Sequence, residues 1–183
     1  MQPSIAPRHA LIIGAKQGIG LHLLKKLHAK GWTVHASVRS LTKDAESIAE
    51  SRLSEIATQT YKIDILNEAT IEAAVKNYGN KPLDLLIHCA GVGPKPEDLW
   101  DHTGDVLVEK LRVNTVGPFL IAKHFFPALK LSQAGKIINM TSNMGSLTSW
   151  KTMDAESGYQ VPGNKRHHLS PSIAFTQDEF LQK

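Results

Sequence analysis

The strongest constraint on the fold of this chain is an alternation. Short apolar runs, HALII (9–13), TVHASV (33–38), YKI (61–63), LDLLIH (83–88) and KIINM (136–140), are separated by longer stretches over 18–30, 42–51, 67–78 and about 105–131. In those stretches apolar residues recur at helical spacing, whereas the short runs have the composition of strands. Such alternation predicts a parallel sheet with helices on both faces. The runs are apolar almost throughout, as strands covered on both sides require. Right-handed crossovers leave few ways to wind five such units, so the expected fold is α/β, a doubly wound parallel sheet of about five strands whose second half is incomplete.

Length and composition bound the rest. A chain of 183 residues with 42% hydrophobic and 21% charged residues fits a single globular domain. The net charge of +4 is not concentrated in any basic block, so neither nucleic acid nor a membrane surface is an expected partner. Cys89 is the sole cysteine, and the N-terminal MQPSIAPRH lacks the apolar stretch of a secretory signal. Both features lead to the expectation of a reducing, cytoplasmic setting.

The segment IIGAKQGIG places Gly14, Gly18 and Gly20 where the first strand passes into the first helix. Glycines there permit a tight turn and close backbone approach to a pyrophosphate, while the helix N-terminus offers free N–H groups and a positive dipole end. A tight turn with no ligand is the alternative reading of the same residues. The G-x-x-x-G-x-G spacing resembles the short-chain dehydrogenase/reductase family. Further motifs in the same order carry the resemblance: Asp64 in KIDI, HCAG at 88–91, Asn114 in RVNTVGPF and Ser142 in GKIINMTSNMGS. It covers about residues 8–160, and its later part is similar to the sniffer-like or C-factor-like branch. The resemblance implies a Rossmann fold, an NADP-binding domain over residues 1–160, and a divergent tail over 161–183.

It also implies a cofactor site drawn from Gly14, Lys16, Gln17, Gly18, Ile19, Gly20, Arg39, Asp64, Ile65, Ala90 and Gly91. In the family the Asp at position 64 bonds the adenine; read alone, it equally fits a cap on the next turn. His88 stands where the family has an Asn that braces neighbouring strands, and it reads as a structural polar residue able to donate one hydrogen bond and accept another. Cys89 reads as a small apolar packing residue. At the end of the second strand, Val38 occupies the position of the carboxylate that selects NAD, and Arg39 follows it. A guanidinium there can grip a 2′-phosphate bidentately, so NADP(H) is expected in preference to NAD(H). A solvated surface charge is the plainer reading of Arg39.

Pro118 has no N–H to offer the carbonyl of residue 114, so the long helix is expected to kink there. The resemblance implies that the Asn114 carbonyl then holds a water of a proton relay. Leu111, Leu120, Phe125 and Leu129 are expected to face the sheet, and the outer face of 105–131 is the expected homodimer surface.

The family's chemistry is hydride transfer between NADP(H) and a small carbonyl or alcohol substrate, with a Ser bonding the substrate oxygen and a Tyr-x-x-x-Lys pair supplying the proton. A neighbouring lysine is needed because unperturbed tyrosine titrates near ~10. The resemblance assigns Ser142, Asn114 and Tyr159 to catalysis. At Tyr159 the sequence departs from the pattern, because Gly163 stands where the lysine belongs and Pro162 precedes it. In the branch this chain resembles, Tyr159 matches a non-catalytic tyrosine, and Val161 holds the catalytic position. Read one base later, the codons for 161–166 permit a Tyr-x-x-x-Lys sequence, so a truncated or frameshifted C-terminus is one expectation for 161–183. Two functions follow: an oxidoreductase, or a catalytically impaired nucleotide-binding domain. His167 and His168 lack a partner cluster, and no metal site is expected.

Overall fold

The computed structural model describes residues 7–40, 53–92 and 103–141. Five strands form one sheet: β1 (His9–Ile13), β2 (Thr33–Val38), β3 (Gln59–Lys62), β4 (Leu85–His88) and β5 (Lys136–Asn139). Their order is β3-β2-β1-β4-β5, and every pairing is parallel. The order reverses between β2 and β4 on either side of β1, the point at which open α/β sheets bind ligands outside the carboxyl ends of their strands. Helix α1 (Gly18–Ala29) joins β1 to β2, and α2 (Glu68–Tyr78) joins β3 to β4. Between β4 and β5 run α3 (Gly104–Leu111) and α4 (Gly117–Leu131).

Two apolar layers sandwich the sheet. On one face Leu11, Ile13 and Leu86 pack against Ile71 and Tyr78 of α2 and Ile121, Phe125 and Leu129 of α4. On the other, Ala10, Ile12, Val34, Ala36 and Ile87 pack with Leu24 of α1 and with Leu53. Successive residues of β1 thus feed opposite layers, the geometry that the continuous apolar runs imply.

The predicted strand 61–63 starts two residues earlier, because Gln59 and Thr60 pair with His35 and Ala36 despite their polarity. The strand expected over 83–88 begins only at Leu85. The helix expected over 105–131 is not simply kinked. A π-turn over Arg112–Val116 divides α3 from α4, with the Gly117 N–H reaching the carbonyl of Arg112 five residues back. Widening the turn by one residue accommodates Pro118, and it shifts the helical phase. Phe125 and Leu129 are buried as expected, and Leu120 packs against the same layer. Leu111, on the far side of the π-turn, is instead 46% exposed.

Candidate active site

The glycine turn is held from two sides. Gly14 has φ +83°, a left-handed backbone, and a Cβ built on it would lie 2.9 Å from the Ala90 amide nitrogen. Glycine is therefore required both by the dihedral and by the approach of the chain leaving β4. On the other side, Ser37 of β2 accepts the Gly14 N–H on Oγ at 3.2 Å and the Ala15 N–H on its carbonyl at 3.1 Å. Gly18 has φ +57° with open space before it, and a Cβ on Gly20 would strike the carbonyl of Gly14.

Lys16, Gln17, Gly18 and Ile19 consequently form an exposed lip at the start of α1. Gln17 is the N-cap residue, its side chain makes no capping bond, and the first turn carries no acidic residue. An anion at this helix start meets uncapped N–H groups and a favourable dipole. The turn thus fits a diphosphate.

The other predicted cofactor residues follow the carboxyl ends of β2, β3 and β4. Arg39 is exposed one residue beyond β2, while Val38 is buried. Asp64 follows β3 in a local network: its Oδ1 accepts the Leu66 N–H at 3.0 Å, its N–H donates to Thr70 Oγ1 at 2.9 Å, and its carbonyl accepts from Asn67 at 2.9 Å. Asp64 thus closes the turn into α2, the structural role its sequence position equally allowed. Ile65 lies against Gly117, where a Cβ would come within 3.2 Å of the Ile65 Cβ, so the π-turn can sit close to the β3 exit.

Asn114, within the π-turn, reaches the β4 exit. Its Oδ1 accepts the Val92 N–H at 3.0 Å, and its Nδ2 donates to the Val92 carbonyl at 3.1 Å. This side-chain clamp, like the support from Ser37, was missed at the sequence level. A hydroxyl inside the otherwise apolar end of TVHASV was the available signal for Ser37. Ala90 and Gly91 are fixed between the clamp and the glycine turn. Ser142 and Tyr159 lie outside the described residues, as does the whole of 161–183.

His88 ends β4 fully buried, and burial pushes its pKa down to about 4. Its Nε2 has no hydrogen-bond partner among the described residues. The imidazole therefore does not brace the strands through that atom. Cys89 packs half-buried against the α1-side layer, and desolvation raises its thiol pKa, consistent with an inert packing role.

Glu68, Glu72 and His124 bring three potential metal ligands within 4.8 Å of one another across α2 and α4. Glu68 Oε1 is already engaged by His124 Nε2 at 2.6 Å and by the Lys123 ammonium at 3.1 Å, which together lower its pKa. The group is an ion-pair tie between two helices. Among the described residues no helix is long and apolar enough to cross a membrane.

A parallel sheet with a glycine turn at its point of strand reversal defines a dinucleotide-type α/β protein. The sequence profile described as short chain dehydrogenase matches residues 8–154, and the chain belongs to that family of oxidoreductases. It is 28% identical over 165 residues to (+)-neomenthol dehydrogenase of Arabidopsis thaliana, covering 77% of this chain and 55% of that protein. It is 30% identical over 141 residues to 2-dehydro-3-deoxy-D-gluconate 5-dehydrogenase of Formosa agariphila, covering 75% and 53%. The chain thus spans about half the length of these curated relatives. Among solved structures, an NADPH-bound carbonyl reductase from chicken fatty liver superposes with a TM-score of 0.72 at 25% identity, covering 82% of this chain and 66% of that one. A gluconate 5-dehydrogenase from Burkholderia cenocepacia, in complex with NADP and tartrate, gives 0.65 at 28% identity, covering 76% and 55%.

Proposed function

We propose that the chain binds NADP(H) and serves hydride transfer between that cofactor and a small carbonyl or alcohol substrate. One observation carries the reading: the glycine turn, locked by Ser37 and Ala90, presents an acid-free helix start beside exposed Lys16 and Arg39, with buried Val38 in place of a ribose-binding carboxylate. When bound, NADP(H) supplies or accepts the hydride. The N–H groups at the start of α1 hold the diphosphate, and Arg39, assisted by Lys16, pairs with the 2′-phosphate. Gln17, Ile19, Ile65, Ala90 and Gly91 would line the dinucleotide, and Asp64 would contact its adenine. The π-turn presents the Asn114 carbonyl for a relay water, and Ser142 bonds the substrate oxygen, with Tyr159 the candidate proton donor.

The NADP-bound and NADPH-bound proteins of similar fold support this cofactor preference. Exposed Val108, Leu111, Val116 and Phe119 along α3, the π-turn and α4 support a homodimer formed through that surface. The test is fluorescence titration with NADPH and NADH, with turnover of a carbonyl panel. Tighter NADPH binding with NADPH oxidation is expected; equal affinity for both, or none, overturns the reading.

A second reading rests on Gly163, which stands where Tyr159 requires a lysine. Under it the domain binds NADPH without catalysis, and saturable binding with no turnover is its signature.

A further inference from the structure

At the sheet end opposite the glycine turn, two imidazoles lie edge to edge. His9, which opens β1, and His35 of β2 have ring centroids 5.7 Å apart and planes within 11° of parallel. His9 Nδ1 and His35 Nε2 are 3.3 Å apart. His35 is buried, and its other nitrogen, Nδ1, has no hydrogen-bond partner among the described residues. Tyr78 of α2 meets the His35 ring edge-on at 5.2 Å, and Tyr61 of β3 leans on it at 6.0 Å.

We infer that the His9–His35 pair is an acid-operated latch, which holds β1, β2 and α2 together while both imidazoles are neutral and weakens the fold when protons are added.

One hydrogen serves the pair: one facing nitrogen donates it and the other accepts. The less costly tautomer puts that hydrogen on His35 Nε2, leaving a bare lone pair on Nδ1 in the core. A proton added to His35 must go to Nδ1, which creates a buried N–H without an acceptor and a desolvated charge. A further proton on His9 sets N–H against N–H at 3.3 Å.

Among the described residues no anion compensates a charge on His35. From β3, the Tyr61 hydroxyl donates to Gln59 Oε1 at 3.0 Å; from α2, the Tyr78 hydroxyl donates to the Pro82 carbonyl at 2.9 Å. In the segment entering β4, the Lys81 ammonium lies 4.9 Å from the Tyr78 ring centroid and disfavours charge on both histidines. Asp84 is the one nearby carboxylate among the described residues, and it favours charge on His9 alone. Its oxygens are taken by the His9 backbone N–H at 2.7 Å and the Ser132 hydroxyl at 2.5 Å. From α4, Phe125 contributes an uncharged ring against Tyr78.

Burial pushes the His35 pKa down to about 4, against 6.5 when unfolded. The folded pKa is depressed, so stability is complete above pH 6.5 and falls as pH drops towards 4. The shift corresponds to an unfolding constant raised by up to about 300-fold at the acid end.

The experiment is urea denaturation of the full chain at pH 4.5 to 8, with His35→Phe and Lys81→Met beside it. The wild type should lose stability below pH 6.5, His35→Phe should lose at least tenfold less in unfolding constant over the same interval, and Lys81→Met should lose less than the wild type at the acid end. Equal pH slopes for wild type and His35→Phe overturn the latch. Should His35→Phe fail to fold, the imidazole proton resonances of the wild type decide: His35 neutral down to pH 5 sustains the inference, and titration near 6.5 overturns it.

Discussion

The carboxamide of Asn114 grips the backbone of Val92 at both polar groups, accepting its N–H at 3.0 Å and donating to its carbonyl at 3.1 Å. A π-turn is thereby tied to the exit of β4, and the exit of β4 in turn abuts the glycine turn through Ala90 and Gly14. Three segments distant in sequence are thus tied together at the carboxyl end of the sheet. Asn114→Ala removes both bonds and leaves two backbone groups to find water. About 1 kcal/mol of stability should be lost, since both bonds are exposed to solvent. A melting temperature lower by several degrees would register it. Asn114→Asp should lose nearly as much, because a carboxylate accepts the Val92 N–H but repels the Val92 carbonyl. A melting temperature unchanged in both variants would refute the clamp.

Gly14→Ala tests the other end of that connection. The new methyl would sit 2.9 Å from the Ala90 nitrogen on a residue at φ +83°. Backbone must move, so a loss of roughly 1–3 kcal/mol is expected, with NADPH binding weakened at least tenfold. Gly31→Ala is the control. Its φ is +78°, yet nothing lies within 4 Å, so it should show the dihedral cost alone and leave binding intact. Equal effects from both substitutions would show that the contact with Ala90 is unimportant.

What the sequence made legible divides along the range of the interactions involved. Strand β1 and the glycine turn are contiguous, and their apolar and glycine spacing is local, so HALIIGAKQGIG announced both. Asp64 was legible in either of two roles because an Asx turn is also local; the structure shows the cap formed by its Oδ1 and the Leu66 N–H. The Asn114–Val92 clamp joins residues 22 apart, and the Ser37 support of Gly14 joins residues 23 apart. Neither leaves a periodic trace. Pro118 announced a disturbance, but its resolution as a π-turn depends on Gly117 fitting against Ile65, a tertiary fact. Leu111 was misplaced for that reason.

Burial of His88 carries a pH prediction of its own. Its pKa is depressed to about 4 by desolvation, so the neutral form is favoured in the folded state. Stability is intact above about 6.5 and declines as pH falls towards 4, by up to roughly 3 kcal/mol for a shift of this size. His88→Asn removes the titration while keeping a polar side chain, so it should flatten this part of the pH–stability curve. Denaturation midpoints at pH 7.5 and 4.5 would measure it; a curve as steep as that of the wild type would place the acid sensitivity elsewhere.

Arg39 stands exposed where β2 ends, one residue past buried Val38 and two past the serine that supports the glycine turn. If its guanidinium pairs with a 2′-phosphate, Arg39→Ala removes a charge-assisted contact that NADH never makes. NADPH affinity should fall about tenfold to a hundredfold, in keeping with the roughly 1.5–3 kcal/mol typical of hydrogen bonds to charged groups, while NADH affinity stays level. Arg39→Lys should recover only part of the loss, because an ammonium keeps the charge but not the bidentate fork. Raising the salt concentration should weaken NADPH binding to the wild type more than to Arg39→Ala, since the contact is solvent-exposed and screened. Parallel losses for both dinucleotides would show that Arg39 steadies the turn and does not read the phosphate.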